Sequence, residues 1–206
     1  MSYYNDQYKN DFIKAIDNTH REKYSVPDEI KVLGRQKPAY TNETNEALYK
    51  LFAKEFSEED GTINIKKVRN QCLKCHTVIA DILKTYFKFH PILTIGYVNH
   101  AGQDFFKFKS MGKNLITRVN ENGQPEVNIH VWITLPSFEI IDLTILAGIE
   151  YAKSADYKKK ELERVKSIIF NFGDADLIFK KEQCIYYPLY IGKDVLTKNG
   201  FASYMV

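Results

Sequence analysis

Cysteine is scarce in this chain. Three residues in 206 (Cys72, Cys75 and Cys184) are too few, and odd in number, for a disulfide framework. Glycine (10) and proline (6) are too sparse for a loop-built, collagen-like or low-complexity protein. Neither charge sign dominates: 29 basic and 26 acidic residues leave +3, spread along the chain, which calls for neither nucleic acid nor an anionic membrane surface as partner. No apolar run approaches the roughly 18 residues of a membrane helix. The first ten residues lack the basic-then-apolar pattern of a signal peptide. The expectation is a cytoplasmic protein with reduced thiols; export by a route that needs no such signal stays open. What the chain does have is a globular apolar content of 44% and an abundance of Tyr (14) and Phe (13), so aromatic packing must fill much of its core.

The length suits a single domain over 1–206, with an N-terminal helical extension (1–60), a core carrying the chemical motifs (61–146) and C-terminal elements (147–206). Residues 1–18 read as weakly helical, with Phe12, Ile13 and Ile16 on one side. Residues 19–40 read as an irregular wrap. A helix follows Thr41 or Asn42 as N-cap, because Leu48, Leu51, Phe52 and Phe56 recur at helical spacing, and Gly61 breaks the chain beyond it. Asn70 caps a further helix whose stripe holds Cys72, Cys75, His76, Ile79, Ile82, Leu83 and Tyr86; a start near Asn64 competes. Pro91 ends it. The period then changes to two, with strands expected over 92–98, 105–109, 115–119, 127–135 and 138–143, joined as an antiparallel meander. A basic amphipathic helix over 155–172 and a strand over 183–191 close the chain. The fold class is α+β: N-terminal helices on an antiparallel sheet, with an extra C-terminal helix and strand.

The stretch 127–135 alternates. Asn128, His130, Trp132 and Thr134 share one face, and Asp142 lies on the strand that returns. A three-residue loop over 135–137 would make His130 and Asp142 direct cross-strand neighbours, with Cβ atoms roughly 4.5–5.5 Å apart. A two-residue loop would put them on opposite faces. Such a pair could simply hold a hairpin together. The third component is a thiol at a helix N-terminus, where the helix dipole and an imidazolium favour thiolate, the nucleophilic form. Cysteine, histidine and carboxylate make a nucleophile, a base and a group that orients the base.

Asn70-Gln-Cys72, Ile79-Ala-Asp-Ile-Leu83, Ile95-Gly96-Tyr97-Val98, His130-Val-Trp132 and Ile141-Asp142-Leu-Thr144 together resemble the transglutaminase-like branch of papain-fold cysteine enzymes over about residues 65–146. The resemblance implies a papain-like core and a Cys-His-Asp triad that hydrolyses or transfers an amide-bound acyl group of a protein or peptide, without a cofactor or metal. Cys72 is the favoured nucleophile, since it sits in the first helical turn and its spacing to Gly96 is near the family's usual one. Cys75 is the second choice. His130 would be the base and Asp142 its orienting carboxylate. Gln71 and Asn70 are candidate oxyanion donors beside the Cys72 backbone N–H. Trp132 and Tyr97 would line the substrate groove.

Other readings use the same atoms. A papain-fold interaction protein without activity would carry the same motifs. Cys72-Leu-Lys-Cys75-His76 is also a c-type haem attachment string, with His76 as axial ligand and Met111 or Met205 as the sixth. A zinc site would take Cys72, Cys75 and His76 with Cys184 or His90, but the second ligand pair of the usual spacing is missing. His20, His90 and His100 read as structural. Lys158-Lys-Lys160 reads as a solvated helix face.

Overall fold

The computed structural model describes residues 2–64, 68, 71–112, 115–119, 125–153, 164–165 and 170–205. Helix α1 (Tyr3–Arg21) turns Tyr8, Phe12, Ala15 and Thr19 inward, whereas Ile13, expected on the buried side, is exposed. After a single-turn 3-10 helix (Asp28–Val32), α2 (Asn42–Phe56) starts where expected: the Thr41 hydroxyl caps it by accepting from the Thr44 N–H at 3.1 Å. Helix α3 (Cys72–Tyr86) buries Cys72, Cys75, His76, Ile79 and Leu83. Tyr86 leaves that stripe and is exposed.

The main sheet is antiparallel in every pairing. Its order is β10 (Cys184–Ile191), β2 (Ile92–His100), β6 (His130–Thr134), β7 (Ile140–Asp142) and β9 (Asn171–Gly173), with β3 (Gln103–Phe105) folded back on the end of β2. Two short ladders lie apart from it among the described residues. Strand β1 (Ile63–Asn64) pairs with β8 (Arg164–Val165), and β4 (Ile116–Val119) pairs with β5 (Pro125–Val127) apart from the main sheet. The expected meander therefore fails, because β2 skips β4 and β5 and pairs directly with β6. The expected strand over 105–109 stops at Phe105: Phe106 adopts φ of 62°, and a left-handed residue cannot continue a ladder. The stretch 127–135 divides, with Val127 ending β5 and His130 opening β6. Strand β2 runs two residues past its expected end and closes on His100. The helix expected over 155–172 is contradicted where Arg164–Val165 and Asn171–Gly173 form strands; its residues 155–163 and 166–169, with the Lys158–Lys160 run, lie outside the described residues.

Both sheet faces are covered. On one, α3 packs on Leu93, Ile95, Val131 and Ile133. On the other, α1 packs on Ile92, Val98, Trp132 and Ile140. The polar stripe of β6 is buried because α1 supplies its partners. The Trp132 indole donates to the Tyr8 hydroxyl at 2.9 Å, Tyr8 shares a 2.6 Å hydrogen bond with Thr134, and Thr134 meets Thr94 at 2.6 Å. Buried polar atoms without such partners would cost stability. Further along, α4 (Ile145–Lys153), α5 (Ala175–Glu182), α6 (Lys193–Lys198) and a 3-10 turn (Ala202–Tyr204) complete the α+β architecture. Among the described residues, no helix is long and apolar enough to cross a membrane.

Candidate active site

The hairpin that joins β6 to β7 decides whether His130 and Asp142 can meet. Leu135 N–H bonds the Glu139 carbonyl at 2.8 Å, closing a three-residue loop over 136–138 with Phe138 left-handed at φ 68°. This is one residue later than the expected loop over 135–137. Ile133 therefore pairs with Ile141 and Thr134 with Ile140, a register that sets Asp142 across from Trp132 and makes His130 its diagonal neighbour. A shift of two positions in pairing preserves the face of the sheet, as a shift of one would not. The side chains still meet: His130 Nε2–H donates to Asp142 Oδ2 at 2.6 Å.

The thiol arrives from α3. Gln71 occupies the N-cap position with φ −113° and ψ 26° and makes no side-chain cap hydrogen bond. Asn70, expected to cap the helix and to donate to an oxyanion, lies outside the described residues. Cys72, the first helical residue, donates its thiol to the Ile129 carbonyl at 3.8 Å and lies close enough to the His130 ring to act on its pKa. Because Nε2 is committed to Asp142, Nδ1 is the ring nitrogen left free of the carboxylate. The imidazole lies between two rings, Phe106 at 5.5 Å and 21° and Trp132 at 5.7 Å and 28° between planes. Gly96 makes room for Trp132 from below. A Cβ there would stand 2.8 Å from the indole and 2.1 Å from the Tyr187 carbonyl oxygen, so glycine is needed for space, not for its φ.

Asp142 is held from several directions. Its Oδ1 accepts from the Thr144 N–H at 2.9 Å and the Ile145 N–H at 3.3 Å, and its Oδ2 accepts from the Tyr186 hydroxyl at 2.9 Å. Asn171 in turn donates to the Tyr186 oxygen at 2.8 Å. Burial alone would raise this carboxyl, but the His130 charge and hydrogen bond outweigh it and hold Asp142 well below the usual carboxylate range. Burial likewise works against the His130 imidazolium, yet the Asp142 carboxylate and then Cys72 push it up to about 10. Fully buried charge is tolerated here because it is paired and hydrogen-bonded.

The two sulfurs differ. Cys72 keeps 8% of its surface and Cys75 1%. Burial, then the Cys72 and Asp142 charges, push the Cys75 thiol up to about 12. Geometry favours Cys72, and Cys75 serves as a small apolar filler of the α3 face. Tyr97 is not brought to the imidazole; its ring stacks on Tyr187 at 4.6 Å with Lys107 over it. Trp132 is both fully buried core and a ring against His130.

Sequence reasoning missed Phe106 and Tyr186, and gave His76 only a ligand's role. Phe106 covers the imidazole only through its left-handed backbone, and Tyr186 comes from the far end of the chain. His76 could have been found: four positions after Cys72, it lies on the same helix face. Its ring nitrogens are committed to the Cys72 carbonyl and the Leu143 N–H, which removes it as the axial ligand of the haem reading. The zinc reading loses Cys184 as a choice of fourth ligand, because Cys184 belongs to the α1 side of the sheet while Cys72 and Cys75 belong to the α3 side. Among the described residues, no group of three His, Cys, Asp or Glu is arranged to hold a metal ion. No protein-family model, no curated protein and no solved structure matches this chain.

Proposed function

We propose that this protein is a thiol-dependent acyl-transfer enzyme of the papain-like, transglutaminase-like kind, acting on an amide bond of a protein or peptide. One observation carries the reading: the buried His130 imidazole is hydrogen-bonded to the Asp142 carboxylate through Nε2, and Cys72, at the start of α3, lies close enough to help hold that imidazole protonated. Cys72 attacks the amide carbonyl carbon as thiolate. The His130 imidazolium gives its Nδ1 proton to the departing amine, leaving a thioester. Water, or an amine, then loses a proton to His130 as it attacks the thioester carbon, the sulfur leaves as thiolate, and the starting thiolate and imidazolium are restored. Asp142 keeps Nε2 protonated, so Nδ1 is the nitrogen that exchanges protons with sulfur and leaving group. The oxyanion is met by backbone N–H groups of the first α3 turn, which have no acceptor within the helix, with the Gln71 amide as a side-chain donor. Hydrolysis is the simpler outcome, since it needs no second substrate site.

The coverage of His130 by Phe106 supports a second reading, an inactive interaction protein that keeps the fold. One experiment separates the two. Wild type and Cys72→Ala are compared for release of amine or ammonia from a mixture of peptide and glutamine-containing protein substrates, alongside brief iodoacetamide labelling and peptide mapping. Turnover lost in Cys72→Ala, with wild-type labelling at Cys72 that His130→Ala suppresses, is the expected result. Slow, equal labelling of Cys72 and Cys75, indifferent to His130, overturns it in favour of the interaction protein.

A further inference from the structure

His76 has no part in the triad, yet it is wholly buried among its members. Its Nδ1 lies 2.8 Å from the Cys72 carbonyl oxygen, and the Leu143 backbone N–H points at its Nε2 from 3.1 Å. A carbonyl can only accept and an N–H can only donate, so the ring carries its proton on Nδ1 and is neutral. Burial is the main reason it stays neutral, pulling its pKa down to about 4, with the His130 charge adding to the effect. The two atoms it joins belong to different parts of the triad: Cys72 opens α3, and Leu143 directly follows Asp142 at the end of β7. Its Nε2 also stands 3.5 Å from Asp142 Oδ1, but both atoms present lone pairs there. That carboxylate oxygen instead takes the Thr144 and Ile145 N–H groups, which leaves Oδ2 to His130.

We infer that His76 is a positioning residue of the proposed acyl-transfer site, a neutral strut that sets the distance between the nucleophile-bearing turn and the carboxylate-bearing corner. It touches neither substrate nor sulfur and acts through the backbone of Cys72 and Leu143. A buried N–H at Leu143 that lost its acceptor would pull the 142–145 corner toward another partner, and small displacements in such a constellation are expensive in rate. This inference rests on the thiol reading.

Two replacements divide the two bonds. In His76→Gln the amide oxygen reaches the place of Nε2 and still accepts from Leu143. In His76→Asn the amide nitrogen takes the place of Nδ1 and still donates to the Cys72 carbonyl, but Leu143 is left without its acceptor. The readout is the iodoacetamide labelling rate at Cys72 from pH 5 to pH 9, with the thermal midpoint measured beside it. His76→Asn should label about tenfold more slowly at the low end of the profile and His76→Gln should approach wild type. Both should melt at lower temperature than wild type, and a purely structural role would move only that midpoint. Equal, wild-type profiles in Asn and Gln overturn the positioning role, as would a Gln variant no better than Asn. His130→Ala is run in parallel. If it leaves wild-type labelling unchanged, the thiol reading itself fails; if it suppresses labelling while both His76 variants behave as wild type, only the strut is wrong.

Discussion

The hairpin of β6 and β7 carries a buried carboxylate at each end, and the two are used differently. At the turn, Glu139 accepts from the Ala39 N–H at 2.5 Å, the Tyr40 N–H at 2.6 Å and the Ser137 hydroxyl at 2.6 Å. All three donors are neutral and none can pass its proton on at ordinary pH. That end is a latch, tying the irregular segment before α2 to the sheet. At the other end Asp142 also takes neutral backbone donors, but its second oxygen meets an imidazole whose pKa it raises together with Cys72. Burial and hydrogen-bond count do not separate the two carboxylates. The ionisable partner does: a carboxylate facing a group that can gain and lose a proton can steer chemistry, and one facing only amides and a hydroxyl holds structure.

The sharpest way to break this comparison is to remove one charge at each end. Asp142→Asn keeps Oδ1 for Thr144 and Ile145, so the corner should persist. Turnover and low-pH labelling at Cys72 should nevertheless fall, on the order of 10³- to 10⁴-fold, because the wrong His130 tautomer is favoured. Wild-type rates in that variant would make Asp142 a second latch. Glu139→Gln is the matching change at the turn. It places an amide N–H₂ against backbone donors and should cost about 1–3 kcal/mol in denaturant unfolding, while Cys72 labelling stays as in wild type. A labelling loss comparable to that of Asp142→Asn would erase the distinction.

The pH dependence of stability tests the Asp142 end alone. His130 is raised to about 10 when folded, against about 6.5 when unfolded. Its contribution is therefore whole below about 6.5 and is lost as pH rises through about 10. His76 is lowered to about 4, so its contribution is whole above about 6.5 and is lost as pH falls toward 4. Thermal midpoints should peak near neutrality, and the decline above it should be shallower in Asp142→Asn, where His130 has lost its charge partner. Identical alkaline limbs in the two proteins would mean that His130 and Asp142 are not coupled. The smallest effect is expected from Cys75→Ala. Removing one buried sulfur should cost about 1 kcal/mol, and Cys72 labelling should be untouched; a matching loss of labelling would move the nucleophile to Cys75.

Several parts of this plan were legible before any coordinates. Thr41 announces α2 because a hydroxyl before a helical run has one obvious use. The even-numbered residues of 130–134 share a face with Asp142 because strand alternation survives any even error in register, and the actual error was even. The sheet order was not legible. Short ladders such as β4–β5 have the same local pattern as strands of a main sheet, and only competition for the edge of β2 decides which segment pairs there. Residues 164–165 and 171–172 carry a helical apolar spacing, yet each finds a strand partner, Asn64 and Ile63 for the first pair and Asp142 and Ile141 for the second. Tertiary pairing overrode local pattern.

What the sequence alone determined is the inventory and its spacing: a thiol beginning an amphipathic stripe, a histidine on an alternating strand, and an aspartate on the strand that returns. Those properties follow from covalent order and from the periods of helix and strand, which act over a few residues. Only the tertiary structure decided that Cys72 and not Cys75 acts on the His130 ring, that Phe106 stacks on that ring, and that Tyr186 bonds Asp142 while His76 accepts from the neighbouring Leu143 N–H. Each depends on how α3, β3 and β10 pack about β6, and packing is set by volume and by the partners that buried polar groups find, across separations that no local period reaches.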